Sequence, residues 1–108
     1  MNHNNLAEEV NELHADICSA LADAKRILIL YALAEQPMNV TDLAMRVNIS
    51  QPAASRHLKM LRERGLVHAE RQGLNIEYSL TEMRLIQALD LLRDVLRDRI
   101  HHRATLLE

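Results

Sequence analysis

Residues 50–65, SQPAASRHLKMLRERG, decide the fold. Ser50 suits a helix N-cap, because its hydroxyl can accept a hydrogen bond from a first-turn N–H. Pro52 follows within that turn, where a missing N–H costs least. Gly65 ends the helix, since glycine adopts the left-handed conformation that closes a helix without strain. Between these signals, a rotation of about 100° per residue places Gln51, Ser55, Lys59 and Arg62 within about 40° of one line. Arg56 flanks that line. Ala54, Leu58 and Leu61 gather to one side, with His57 at the edge of their apolar stripe. The helix thus has one face for its own domain and one of amide, hydroxyl and cations.

Such a face suits the major groove of double-stranded DNA. Gln51 and Ser55 are candidates for base edges and Arg56 for guanine, and the cap Ser50 is a further DNA-binding candidate. Lys59 and Arg62, further along, are candidates for phosphates. His57 fits a phosphate contact or a hydrogen bond within the domain equally well. A solvated helix face is the ordinary alternative for this stretch alone, so its neighbours matter. Upstream, Asn39-Val-Thr-Asp42 resembles a capping box and opens a short helix to about Val47, with Leu43, Ala44 and Val47 apolar. Asn48 and Ile49 form a turn, so 39–64 is predicted to be a helix-turn-helix. Downstream, 66–80 alternates partly between apolar and polar residues about a Gln-Gly-Leu-Asn turn, which predicts a β-hairpin. As a wing beside the helix-turn-helix, it offers Arg71 and Gln72 near its tip.

Further out, Asp23 caps a helix over about 23–34, with Ile27, Leu28, Leu30, Tyr31 and Ala34 expected inward and Pro37 marking its end. Residues 6–20 form a first helix striped by Leu6, Val10, Leu13 and Ile17. Residues 81–106 form a long last helix striped by Leu85, Ile86, Leu89, Leu92, Leu96 and Ile100. The whole chain, 1–108, is predicted to be one mainly α domain, a winged helix-turn-helix with a two-stranded β-hairpin.

Composition narrows the function. Trp and Phe are absent and Tyr occurs twice, so the core is aliphatic, which favours packed helices. With only two glycines, a Gly-rich phosphate loop has no place, and no Ser/His/Asp or Cys/His arrangement has supporting context for catalysis. The expectation is a protein that is not an enzyme. The single cysteine, Cys18, excludes an intrachain disulfide and any CxxC pair. No apolar run reaches the ~18 residues of a membrane span, and the first residues lack a signal-peptide core, so a cytoplasmic location without membrane attachment is expected. Net charge is −2, but it is unevenly distributed. Residues 1–45 hold two cations against seven carboxylates, while 46–77 hold six cations against three. The middle third is therefore the candidate phosphate-binding surface.

Four strings carry a family resemblance: LADAKRILIL at 21–30, NVTDLA at 39–44, SQPAASRHLKML at 50–61 and RGLV at 64–67. Together they resemble the ArsR/SmtB family of winged-helix transcriptional repressors, over about residues 18–100. The resemblance implies an obligate homodimer formed by the first and last helices, here through Leu6, Val10, Leu13, Ile17, Leu85, Leu89, Leu92 and Leu96. It also implies a two-fold symmetric operator and release by an inducer, usually a metal ion or an oxidant. The apolar stripes agree with a dimer, because they exceed what a domain this size easily covers. The departures bear on the inducer, which the residues do not identify. Metal-sensing members carry cysteines on the short helix, and residues 40–47 have none. Others carry ligands on the last helix, where Glu82, Arg84, Val95 and Asp98 stand here. Both common metal sites are therefore expected to be lost, and no cofactor is expected. Thiol sensors of the family use two cysteines. A weaker alternative is a metal site across the dimer, from His14 and Cys18 with His101 and His102. A winged helix that binds protein and no DNA is the other reading.

Overall fold

The structure is a computed structural model describing residues 3–107. The chain runs α1 (His3–Glu12), a π-helical stretch (Leu13–Cys18), α2 (Ala24–Glu35), β1 (Met38–Asn39) and α3 (Val40–Val47). It continues as α4 (Gln51–Glu63), β2 (Val67–Gln72), β3 (Asn75–Leu80) and α5 (Arg84–Leu107).

Local side chains set the helix boundaries. The Asp23 carboxylate accepts from the backbone N–H groups of Lys25 (2.8 Å) and Arg26 (3.2 Å), which starts α2. These bonds, chiefly the one from Arg26, hold the Asp23 carboxyl below its ordinary pKa. Asn39 starts α3 by accepting from Asp42 N–H at 2.8 Å. Ser50 starts α4 by accepting from Ala53 N–H at 3.2 Å. At the far end of α4, Gly65 takes φ +75°. Gly65 N–H then donates to Arg62 O (3.0 Å) and Leu66 N–H to Leu61 O (2.9 Å), the paired bonds of a Schellman end.

The core lies where α2, α3 and α4 meet the sheet. Ile29, Leu30, Leu43, Leu58 and Leu61 are fully buried, with Met38, Val67, Ile86 and Leu89 around them. The sheet has three strands in the order β1-β3-β2, both pairs antiparallel, with Val67 opposite Leu80 and Gln72 opposite Asn75.

Four expectations need correction. The first helix is not a regular α-helix over 6–20: Leu13–Cys18 widens to π geometry, and Ser19 N–H reaches back to His14 O. The hairpin is joined by β1, whose two residues pair with Tyr78 and Glu77. The last helix begins at Arg84, because Thr81–Met83 form its lead-in turn. On α2 the buried residues are Ile29, Leu30, Ala32 and Leu33, while Leu28 is 47% exposed. Residues 27–34 are apolar or aromatic all round, so periodicity gave no unique inward face.

The molecule is extended for its length. Its radius of gyration is 16.7 Å, against about 13 Å for a compact chain of this size. The two terminal helices are the reason. Every residue of α5 from Asp90 to Leu106 is exposed, and so are residues 5–12 of α1.

Removing either cap, by Ser50→Ala or Asn39→Ala, is expected to cost about 1 kcal/mol. Urea unfolding at fixed protein concentration checks this. The midpoint should fall with the slope unchanged.

Candidate nucleic-acid interface

Helix α4 is anchored along one side by Ala54, Leu58 and Leu61, each with no exposed surface. This puts its other side in water. Ser50, Gln51, Ser55, Arg56, Lys59 and Arg62 are all exposed, and His57 is half-buried at the margin of the apolar stripe. The predicted division of the helix into a buried and a polar face is therefore present. Glu63 is the one carboxylate on this helix.

The wing follows α4 in the chain, and its first strand packs against α4. Gly73 (φ +64°) and Leu74 form the turn between β2 and β3. A glycine with positive φ at the first central position marks a type II′ hairpin turn. Arg71 and Gln72 lie on the last two positions of β2, exposed, opposite Ile76 and Asn75. Leu74 is 99% exposed at the apex.

The arginines separate into two groups. Arg26, Arg46, Arg64, Arg84, Arg93 and Arg97 pair with carboxylates. Among the described residues, Arg56, Lys59 and Arg62 of α4 and Arg71 of the wing pair with none. Arg99 and Arg103 near the end of α5 are also unpaired, and Lys25 donates to Val47 O at 3.1 Å. The unpaired cations of α4 and the wing are thus free to meet an external anion.

Known proteins of similar sequence decide the family. The profile described as "Bacterial regulatory protein, arsR family" matches residues 23–69, which span α2 through the first half of β2. The nodulation protein NolR of Rhizobium meliloti is 39% identical over 87 residues, covering 81% of this chain and 71% of that protein. The chain belongs to the ArsR family. Solved ArsR-family folds agree with this one. NolR from Sinorhizobium fredii superposes with a TM-score of 0.74 at 35% identity, covering 88% of this chain and 93% of that one. The transcriptional repressor BigR from Xylella fastidiosa superposes with a TM-score of 0.74 at 29% identity, covering 88% and 96%. The homodimeric winged helix-turn-helix DNA-binding domain Mb0332 from Mycobacterium bovis reaches 0.77 at 26% identity, covering 94% and 93%.

For this ArsR-family chain the residues set apart as sensor candidates are dispersed. His14 and Cys18 are exposed at either end of the π-helical stretch, and His101 and His102 are exposed near the end of α5. Among the described residues no three His, Cys, Asp or Glu side chains gather to hold a metal ion. Val95 and Asp98 are exposed on α5. Glu82 is engaged by Arg84: one carboxylate oxygen accepts from Arg84 N–H (3.0 Å) and the other from its guanidinium (2.7 Å). These bonds hold the Glu82 carboxyl down at about 2.

Two clusters escaped the sequence reading. Tyr31 on α2 donates its hydroxyl to Asp90 on α5 at 2.6 Å, with Arg93 stacked 5.2 Å from the ring centre. Arg64, just past α4, reaches the end of the first helix. Both join residues far apart in the chain, so periodicity carries no trace of them.

The Glu82 pairing gives a titration test. Its folded pKa lies below its unfolded value, so its small contribution to stability is full at neutral pH and is lost as pH falls toward 2. Carboxyl NMR should place the Glu82 midpoint near 2, and Arg84→Ala, which removes the guanidinium but keeps the backbone N–H bond, should raise it only part of the way toward the ordinary glutamate value.

Proposed function

We propose that this chain is a sequence-specific, DNA-binding transcriptional repressor that acts as a homodimer on a two-fold symmetric operator. The observation that carries the reading is the outer face of α4. An apolar side fixed in the core turns an amide, a hydroxyl and three unpaired cations outward from the second helix of a helix-turn-helix. In this reading Gln51 and Ser55 meet base edges, Arg56 takes a guanine, and Lys59, Arg62 and the wing's Arg71 meet phosphates. Ser50 caps the helix and adds a backbone contact, His57 sits against a phosphate, and Gln72 lies over the adjacent groove. Membership of a family of bacterial regulatory proteins supports this reading, as do the named repressors among similar folds. The same family makes a binding role, and no catalysis, the natural one.

The dimer reading rests on apolar surface left in water. On the first helix, Leu6 and Val10 of α1 and Leu13 of the π-helical stretch are 52%, 48% and 45% exposed, and on α5 Leu92 and Leu96 are 62% and 57% exposed. A run of exposed apolar side chains along two helices marks a protein–protein interface. Ile17 and Leu85 are half-buried at its inner margin, and Leu89 is buried in the chain's own core, so it supports the interface from beneath. An isologous dimer of this kind would set two copies of α4 about one helical turn of DNA apart. The domain reading follows: residues 39–64 and the wing at 66–80 face DNA, and the terminal helices face the partner. Among the described residues no helix is long and apolar enough to cross a membrane. A cytoplasmic site of action accords with a DNA-bound regulator.

Two outcomes are expected. With DNA from the protein's own promoter region, Arg56→Ala and Ser55→Ala should each weaken binding by about 1–3 kcal/mol and relax discrimination, whereas Lys59→Ala should weaken binding to every sequence alike and reduce the salt slope by about one. Fluorescence anisotropy at several salt concentrations measures both. Leu96→Glu should produce monomers in sedimentation equilibrium and abolish operator binding, because it places a charge in the apolar seam.

A further inference from the structure

The carbonyl end of the first helix is gripped by two guanidinium groups from different elements. Arg26, in the first turn of α2, donates Nε–H to Ala20 O at 2.8 Å and a second N–H to Ser19 O at 3.3 Å. Arg64, the C-cap residue of α4, donates to Ala15 O, to Asp16 O at 3.3 Å and to Ser19 Oγ at 2.7 Å. It also lies 3.9 Å from the Asp16 carboxylate. These acceptors sit in or next to the π-helical stretch, and π turns occur disproportionately where a helix performs a function. Cations at a helix C-terminus also oppose the negative end of its dipole.

The apolar anchoring of α4 by Ala54, Leu58 and Leu61 holds it against the core but is non-directional. Charge-assisted hydrogen bonds, in contrast, fix direction as well as distance. Arg64 is the side chain that ties the base of α4 directly to the helix whose outer surface carries Leu6, Val10 and Leu13. The Asp16 ion pair is 65% exposed on the carboxylate side, so it adds little on its own. The backbone carbonyls and the Ser19 hydroxyl are the fixed points.

We propose that Arg64 is a positioning residue that sets the angle of α4 relative to the dimerisation surface of the first helix, and thereby the separation of the two α4 helices in the homodimer. This rests on the dimer in the function proposed above, and its test is made without DNA. Arg26 locks the first helix to α2 and the core, and Arg64 locks the same segment to α4. One short segment is thus bonded to two other helices, beside the apolar contacts of Ile17, Ala20 and Leu21 with the core. Loss of Arg64 leaves α4 packed but free to swing, so specific binding to two half-sites falls while single-site and non-specific contacts persist.

The test uses full-length homodimer carrying Cys18→Ser and a spin label at Glu63→Cys, on the end of α4. Double electron–electron resonance reads the distance between the two labels. With Arg64 present, one narrow distribution is expected. With Arg64→Met it should broaden at least two-fold while circular dichroism and the dimer mass stay unchanged. If Arg64→Met does not fold, Ser19→Ala, which removes one fixed point, should broaden the distribution to a smaller degree. A distribution of unchanged width in a folded dimer of either variant overturns the proposal. A monomeric parent protein overturns it together with the dimer, whereas a narrow parent distribution with no DNA binding overturns the repressor reading alone.

Discussion

Burial of Ala54, Leu58 and Leu61 is the constraint on which the rest of the structure depends. It fixes the rotation of α4 about its own axis, because a helix with three fully buried positions on one side has no freedom to turn them outward. Each buried leucine contributes roughly 1.5–3 kcal/mol from area removed from water. The opposite side is therefore held in solvent with Gln51, Ser55, Arg56, Lys59 and Arg62 displayed together. The caps at Ser50 and Gly65 set where that display begins and ends. Electrostatics agrees with the packing, since the cations on this face have no carboxylate partner while those elsewhere in the body of the fold largely do.

The terminal helices follow a different physical logic. The core is too small to cover them, and every residue of α5 from Asp90 to Leu106 is exposed. Their inner ends are joined to the body by apolar burial, of Ala20 and Ile17 from the first helix and of Ile86 and Leu89 from α5, and polar, directional bonds add to it. Tyr31 takes Asp90 and Arg93 on α5, and Arg26 and Arg64 take the carbonyl end of the first helix. Burial pushes the Tyr31 hydroxyl above its ordinary pKa, assisted by Asp90, so the phenol remains a donor throughout the physiological range. The apolar outer faces are thereby left in water, where the proposed dimer would bury them, while the polar joints run on the side facing the body of the fold.

Much of this was legible in the sequence, for local reasons. Caps, the Pro52 and Gly65 signals and the face of α4 depend on residues a few positions apart, and they stand where the spacing put them. The turn at Gly73 was equally local. What was not legible involved long range or ambiguity. Two residues, Met38 and Asn39, are too few for a strand signal, and they pair with β3 only because α2 delivers them to its edge. Helix α2 is apolar on every side, so its buried face was misjudged at Leu28. The π turn has no composition signature, and Arg64 reads as an ordinary basic residue at a helix end. The exposed candidates of the sensor reading, His14, Cys18, His101 and His102, do not converge within one chain.

The proposed docking of α4 in the major groove is tested most directly by guanine N7 methylation interference, because N7 lies in that groove. With the dimer bound to its own promoter fragment, the account predicts two patches of interfering guanines related by two-fold symmetry, about 10–10.5 base pairs apart centre to centre. A single patch of interfering guanines, or none at salt where the fragment is saturated, would contradict it.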